Sequence, residues 1–290
     1  MSGVPEGFAA LILTHGRPDR VITYNSLRKR GYTGPIYIVI DNEDETAPQY
    51  RERYGDQVIE FDKLAISKTF DTADQSDNRR TIVYARNAAS KIAADLGLKW
   101  HIQLDDDYTY FSHRINIGDE LKNIMTKSLD EVICHYLRFL DDTDALTVAF
   151  AQGGDYISGT QRGGFFQRGL ARKAMNSFFI RTDRPVEFVG RINEDVNTYV
   201  TQGNRGELLL THTGFQLHQP PTQMNDGGMS DVYRDNGTYL KSFYTVMMAP
   251  SCVIITPMGS SQRIHHRVLW RFAVPQILSD EYRKVDDSAT

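Results

Sequence analysis

The sequence predicts an α/β protein with a mostly parallel, twisted sheet carrying helices on both faces. Two observations predict it. Short apolar runs alternate with amphipathic helical segments through the first third of the chain, and three polar clusters (residues 14–17, 41–45 and 105–107) each follow directly on one of those runs. In sheets of this kind ligands bind beyond the carboxyl ends of the strands, so the clusters also place a site.

Phe8 to Leu13 is a compact apolar run that ends at Thr14-His15-Gly16-Arg17-Pro18. Pro18 suits the first turn of a helix reaching about Arg30, and Gly31 is placed to end it. A second buried strand is expected at Ile36–Ile40, stopping at Asp41-Asn42, then a short helix near residues 48–54 and a strand at 58–61. From Thr81 to Leu96, the residues Ile82, Val83, Ala85, Ala89, Ile92, Ala93 and Leu96 fall at helical spacing, and Gly97 closes the helix. The next strand delivers Asp105-Asp106-Asp107.

Beyond that point the pattern is less regular. Residues 117–141 carry one long amphipathic repeat (Leu121, Ile124, Met125, Leu129, Val132, Ile133, Leu137, Leu140), and 145–151 reads as a strand. Residues 152–164, rich in glycine and polar groups, are expected to form a mobile loop. No linker, repeat or break in composition divides the chain. The expectation is one domain over 1–290, with a nucleotide-binding half at 8–110 and a catalytic and acceptor half at 111–275.

With 40% hydrophobic and 11% aromatic residues, the 290-residue chain buries an ample core. A net charge of −4 argues against a generally basic nucleic-acid coat. The charge is uneven, however: the segment from Ala151 to Arg184 carries six basic and two acidic residues, so it stands at +4 and the remainder at −8. Cys134 and Cys252 sit in apolar surroundings without metal-like spacing, which suggests reduced core thiols and a cytosolic protein. No basic leader with an apolar run opens the sequence, and no stretch approaches the roughly 18 apolar residues of a membrane span. A soluble, unprocessed chain is expected.

Three adjacent aspartates repel one another and cannot be buried uncompensated. A hard divalent cation that also touches a phosphate is the usual compensation, so the cluster points to a metal and a nucleotide diphosphate. A solvated loop or a helix cap would be the plainer explanation; the apolar strand feeding straight into the cluster favours the metal. Asp105-Asp106-Asp107-Tyr108-Thr109 also fits the D-x-D-x-T start of phosphoaspartyl hydrolases, although those proteins carry it on an early strand and here three strands precede it. Gly190-Arg191-Ile192-Asn193-Glu194-Asp195-Val196 is a glycine turn followed by an acidic first helical turn, a pattern the helix dipole favours by itself. Arg79 and Arg80 suit surface ion pairs. Arg86 falls near the apolar face of its helix, beside Ala85 and Ala89, and a half-buried guanidinium there needs Asp105 or a diphosphate as partner. His265 and His266 are adjacent, so on a strand at most one would reach a metal, and His218 competes for that role.

Together these elements resemble the GT-A glycosyltransferases: a nucleotide-binding N-terminal half with Rossmann-like alternation, Leu104-Asp105-Asp106-Asp107, Glu194-Asp195 and a late histidine. The Ala85-Arg86-Asn87 helix feeding the aspartate strand, with the 190–196 segment, is most similar to the fringe-like group that includes bacteriophage and kinetoplastid enzymes glycosylating hydroxymethylated DNA bases. The resemblance implies a GT-A-like domain and transfer from a UDP-sugar to such a base, preferably 5-hydroxymethylcytosine. It implies a donor held by Thr14, His15, Gly16, Arg17, Asp41, Asn42, Arg79, Arg86, Asp105 and Asp106. Mn²⁺ or Mg²⁺ would sit on Asp105, Asp107 and His265 or His266. Asp195, with Glu194 beside it, would be the base of an inverting reaction. Arg162, Arg168, Arg172 and Lys173 would contact DNA phosphates. A phage-encoded enzyme of this kind would work in the host cytoplasm, with no membrane and no obligate protein partner. A GT-A enzyme with a glycan or small-molecule acceptor, a phosphoaspartyl hydrolase, and a non-catalytic nucleotide-sugar or DNA-binding module remain alternatives.

Overall fold

The computed structural model describes residues 3–74, 76–117, 120–152, 169–220, 230–258 and 263–275. Strands β1 (Phe8–Leu13), β2 (Ile36–Asp41), β3 (Val58–Phe61) and β4 (Trp100–Asp105) pair in parallel in the order β3-β2-β1-β4. Their crossovers are α1 (Ile22–Lys29), α2 (Ala47–Tyr54), α3 (Lys63–Ser67) and α4 (Val83–Asp95). The sheet continues through β9 (Ser177–Arg181), β7 (Ala145–Ala151), β10 (Leu208–His218), β5 (Tyr110–Ile117) and β6 (Glu120–Met125), and β8 (Leu170–Ala171) pairs with β10. β9, β8 and β5 run against the other seven strands of this ten-stranded sheet. A second sheet is the hairpin of β11 (Val253–Met258) and β12 (Arg263–Val268). The mostly parallel α/β architecture expected from the sequence is present.

Alternation along β1 divides the interior. Phe8, Ala10 and Ile12 join one core with residues of α1, α2 and α5 (Leu129–Asp142), among them Leu27, Tyr50 and Leu137. Leu11 and Leu13 join a second core with Val83, Ala89 and Ile92 of α4 and with Val196 and Val200 of α6 (Glu194–Asn204). Both faces are therefore covered, which is why β1 reads as an unbroken apolar run. α7 (Ser230–Met248) packs on β11, β12 and α6.

Two expected elements differ. The helix expected over 18–30 is a 3₁₀ turn at Pro18–Arg20 followed by α1 from Ile22. The break is anchored: Thr23 donates its backbone N–H to the Asp106 carbonyl (3.1 Å) and its hydroxyl to the Asp105 carbonyl (2.6 Å), so α1 begins on the aspartate turn. The single amphipathic pattern over 117–141 is instead the β5–β6 hairpin followed by α5. Over a short stretch, Leu121, Ile124 and Met125 satisfy either period. Lys127, at the turn into α5, abuts Gly31 (φ +85°); a Cβ there would lie 2.4 Å from the Lys127 carbonyl oxygen, so position 31 has to be glycine. The loop expected over 152–164 lies almost wholly outside the described residues. Cys252 is buried and Cys134 half-buried, and neither is in a disulfide.

Candidate active site

β4 carries the aspartates to the carboxyl edge of the sheet, where each takes a different environment. Asp105 accepts a hydrogen bond from Arg86 Nη2 at 2.8 Å, yet burial still leaves its carboxyl above the usual range. Asp106 turns the other way, is 3% exposed, and accepts from Thr14 Oγ1 at 2.6 Å with Arg17 Nε 3.5 Å away. Arg17 N donates to the Tyr50 hydroxyl (2.8 Å), which is bonded to Thr14 Oγ1 (2.8 Å), so Asp106 ends a chain of hydrogen bonds that fixes the loop after β1. Asp107 is pushed up to about 7 by burial and then by the charges of Asp105 and Asp106. The middle aspartate is thus occupied in holding the loop, while the outer two form the acidic lip.

The β1 and β2 ends build the adjoining wall. His15 Nδ1 and Lys63 Nζ approach the same Asp41 oxygen at 2.8 and 3.1 Å, and together they outweigh burial and hold the Asp41 carboxyl below its usual value. Gly16, at φ +69°, donates its N–H to Asp44 (2.8 Å). Asn42 accepts from Lys63 N (3.0 Å), so its side chain caps the turn into α3. Arg79 forks onto one Glu43 oxygen at 2.9 and 2.6 Å. It is therefore held at the rim of this wall by an acidic partner.

The second carboxylate pair starts α6. Asn193, in the left-handed region at φ +57°, precedes it and donates to the Lys241 carbonyl of α7 (2.6 Å). Gly190 allows the approach: a Cβ there would meet the Asn197 amide nitrogen at 2.2 Å. Glu194 accepts from Arg86 Nε (3.2 Å) and is pushed up to about 7 by burial and then by Asp195, with Arg86 opposing. Asp195 accepts from the Val196 N–H (2.7 Å). Arg86, 1% exposed, thereby joins the aspartate strand to the acidic helix start; its Nη1 is buried and, among the described residues, meets no hydrogen-bond partner. Of the two partners expected for it, the structure shows Asp105 and adds Glu194.

The late histidines are placed differently from the expectation. His266 is 8% exposed, 3.5 Å from Asn193 Nδ2, and pushed down to about 3 by burial and then by His265 and Lys241. The rings of His265 and His266 nevertheless lie 4.2 Å apart. His218 bonds Ser112 Oγ (2.7 Å), stacks on Tyr110 and is pushed down to about 4 by burial. Among the described residues no three His, Cys, Asp or Glu side chains converge closely enough to hold a metal ion by themselves. The three-ligand set of Asp105, Asp107 and a histidine is therefore not assembled here. Of the basic segment, Arg162 and Arg168 lie outside the described residues. Arg172 turns inward to the Gly203 carbonyl (3.3 Å), and Lys173 is half-buried.

Sequence reasoning missed Lys63, Tyr50 and Asp74, and it included Asp44 only as a member of the 41–45 cluster. Lys63 was findable, since it follows the end of β3 as the other clusters follow theirs. Asp74 pairs with Arg191 (2.7 Å) from a polar stretch without periodicity, and no local signal marks it.

Among solved structures, a mannosyltransferase from Pyrobaculum calidifontis in complex with GDP-Man and Mn²⁺ is similar at 10% identity and TM-score 0.45, covering 86% of this chain and 76% of its own. A glucosyl-3-phosphoglycerate synthase from Mycobacterium tuberculosis, in complex with Mn²⁺, UDP and phosphoglyceric acid, gives 10% identity and TM-score 0.43, with 90% and 87% covered. No curated protein matches in sequence. Among the described residues, no helix is long and apolar enough to cross a membrane. The model of the TET-associated glycosyltransferase family matches residues 8–228, which span both the aspartate strand and the Glu194-Asp195 helix, and the chain belongs to that family.

Proposed function

We propose that this glycosyltransferase moves a sugar from a UDP-sugar to the hydroxyl of a hydroxymethylated DNA base, with 5-hydroxymethylcytosine preferred. The observation that carries the reading is the Arg86 bridge, which sets the acidic lip of β4 and the Glu194-Asp195 helix start against one another at the carboxyl edge of the sheet. The TET association of the family supports the base as acceptor.

The donor set fits a hard divalent cation such as Mn²⁺ or Mg²⁺. Asp107 is pushed to about 7 by burial first and then by the charges of Asp105 and Asp106, which Arg17 only partly offsets, so a hard cation would relieve the crowding of carboxylates there. Asp105 and Asp107 would hold the ion, and diphosphate and water oxygens would complete its shell. When bound, it supplies Lewis-acid neutralisation of the departing diphosphate. The 14–17 loop and the Asp41–Lys63 pair orient uracil and ribose; Arg17, beside Asp106, faces the diphosphate. Glu194 is tied to Arg86, which leaves Asp195 to take the acceptor proton. The acceptor oxygen bonds to the anomeric carbon as the bond from that carbon to the diphosphate oxygen breaks, with inversion. An alkyl hydroxyl is far less acidic than a carboxyl group, so proton transfer accompanies attack. With Arg172 turned inward, phosphate contacts fall to Arg162, Arg168 and Lys173.

A phosphoaspartyl hydrolase would need a catalytic lysine near its nucleophile. Here the cation on Asp105 is Arg86, and the buried Lys63 pairs with Asp41. UDP release with Mn²⁺, measured with and without a 5-hydroxymethylcytosine duplex, tests the reading, together with mass spectrometry of the digested DNA. DNA-stimulated release and a hexose adduct on the modified base are expected. Release stimulated by glycans and not by DNA would overturn the acceptor.

A further inference from the structure

The segment between α3 and α4 runs over the carboxyl edge of the sheet and is tied down at both ends. At its far end Arg79 grips Glu43, whose own N–H bonds Asp41 at 3.1 Å. At its near end it meets the turn that launches α6. Gly190 N donates to the Asp71 carbonyl (2.7 Å) and Arg191 N to the Thr72 carbonyl (2.9 Å). Asp74 is the keystone of that junction. Arg191 reaches it with Nε at 2.9 Å and Nη2 at 2.7 Å, and the Tyr244 hydroxyl from α7 donates to the same carboxylate oxygen. Arg191 is 7% exposed, Tyr244 2% and the Asp74 side chain 23%, so these charge-assisted bonds are partly sheltered from water, which makes them stronger and more directional than surface pairs. Arg191 stands three residues before Glu194 and four before Asp195. Between them Asn193 holds a left-handed backbone and is bonded to α7, the helix that also carries Tyr244.

We propose that Asp74 is a positioning residue for glycosyl transfer: by clamping Arg191 and Tyr244 it aims the start of α6, and with it Asp195, at the donor wall that the other end of the same segment touches through Arg79. The inference rests on the proposed role of Asp195. The turn has three fixed points (the 71–72 carbonyls, the Asp74 carboxylate and α7), and two of them lie on the segment that also touches the donor wall through Arg79. Removing the carboxylate charge leaves the backbone bonds and releases the side chain that stops the turn from rotating. Displacements on the order of 1 Å near reacting groups cost up to about 100-fold in rate.

The test compares Asp74→Asn, Tyr244→Phe and their double variant with the native chain, using UDP with Mn²⁺ as the binding probe. Hydrogen–deuterium exchange needs no acceptor. Asp74→Asn is expected to speed exchange at the amides of residues 190–197 while β1 and β4 stay protected. UDP binding by calorimetry should change by less than about 3-fold, and kcat for sugar transfer should fall by about 10–100-fold well below the thermal midpoint. The Tyr244→Phe effect should be smaller and sub-additive with Asp74→Asn, because both act on one carboxylate. Unchanged exchange at 190–197, or a lower thermal midpoint with native kcat, would reduce Asp74 to a structural brace and overturn the inference. A loss of UDP affinity as large as the loss of kcat would do the same. Asp195→Asn is the control: if it turns over at the native rate, the assignment of the base fails, while the exchange result still decides the role of Asp74.

Discussion

Replacing Arg86 by methionine isolates what its charge does. Methionine keeps most of the stem volume and the packing on Phe178, whose ring centroid lies 4.7 Å from the guanidinium carbon. It removes the two ion pairs, to Asp105 at 2.8 Å and to Glu194 at 3.2 Å. Taking one member out of a buried pair leaves the remaining charge unpaid, at a typical cost of about 3–5 kcal/mol. Both carboxylates retain some exposure, 24% and 14%, so the lower end of that range applies at neutral pH. The cost must depend on pH in one direction. The Glu194 carboxyl, pushed up to about 7, is mostly protonated in the native protein at pH 5 and ionised at pH 8. A carboxyl raised above its unfolded value weakens the fold as pH rises through the window between the two, and losing Arg86 steepens that loss. Arg86→Met is therefore expected to cost about 3 kcal/mol at pH 8 and clearly less at pH 5. Urea unfolding followed by tryptophan fluorescence measures both. Arg86→Lys should recover only part of the loss, since a compact ammonium lacks the planar fork by which Nε and Nη2 each face one carboxylate. A cost below about 1 kcal/mol at pH 8, or a larger cost at pH 5, would refute the bridge.

Three further outcomes are expected. EDTA should abolish transfer and Mn²⁺ or Mg²⁺ restore it, whereas Asp107→Ala should lose UDP binding even in excess metal; full activity in EDTA would remove the cation from the reading. Asp195→Asn should retain UDP binding within a few-fold while kcat falls by roughly 10²–10⁴, the scale of general-base catalysis. His101 is fully buried and pushed down to about 3, so the fold binds it neutral; between about pH 6.5 and pH 3 the unfolded chain takes up a proton that the native chain refuses, and stability should drop by up to about 1.4 kcal/mol per pH unit on acidification. A native-like acid slope in urea titrations of His101→Gln would show that this histidine contributes no such loss.

β1, β2 and β4 were legible almost to the residue because they are buried on both faces and end at polar clusters, two signals that coincide in parallel sheets. α4 was legible from its period, and Arg86 from its place on the apolar face. The hairpin of β5 and β6 was not legible, because Ile117, Ile124 and Met125 stay exposed on it and fall at the i, i+7 and i+8 spacing of one side of an amphipathic helix. The aspartate triplet was visible as a site, but its division of labour was not. Asp106 differs from its neighbours only through Thr14 and Arg17, which lie some ninety residues earlier in the chain.

The same cause explains the largest omission. Asp74 takes its role from Arg191 and Tyr244, more than a hundred residues later, and a lone aspartate in a polar stretch carries no pattern to announce such partners. Arg86 was easier to interpret than Asp74. A guanidinium on an apolar face must find carboxylates, and Arg86 found two; a carboxylate in a polar loop is already satisfied by water and demands nothing. The partners of a site are thus most visible where a charge would be costly to bury alone. On that ground Lys63, set directly after an edge strand and 4% exposed, could have been read as the counter-ion of an acid at the neighbouring strand end. Asp41 at the end of β2 is that acid, which makes the proposed donor wall, like the acidic lip, a consequence of which charges the parallel strands bring out of water together.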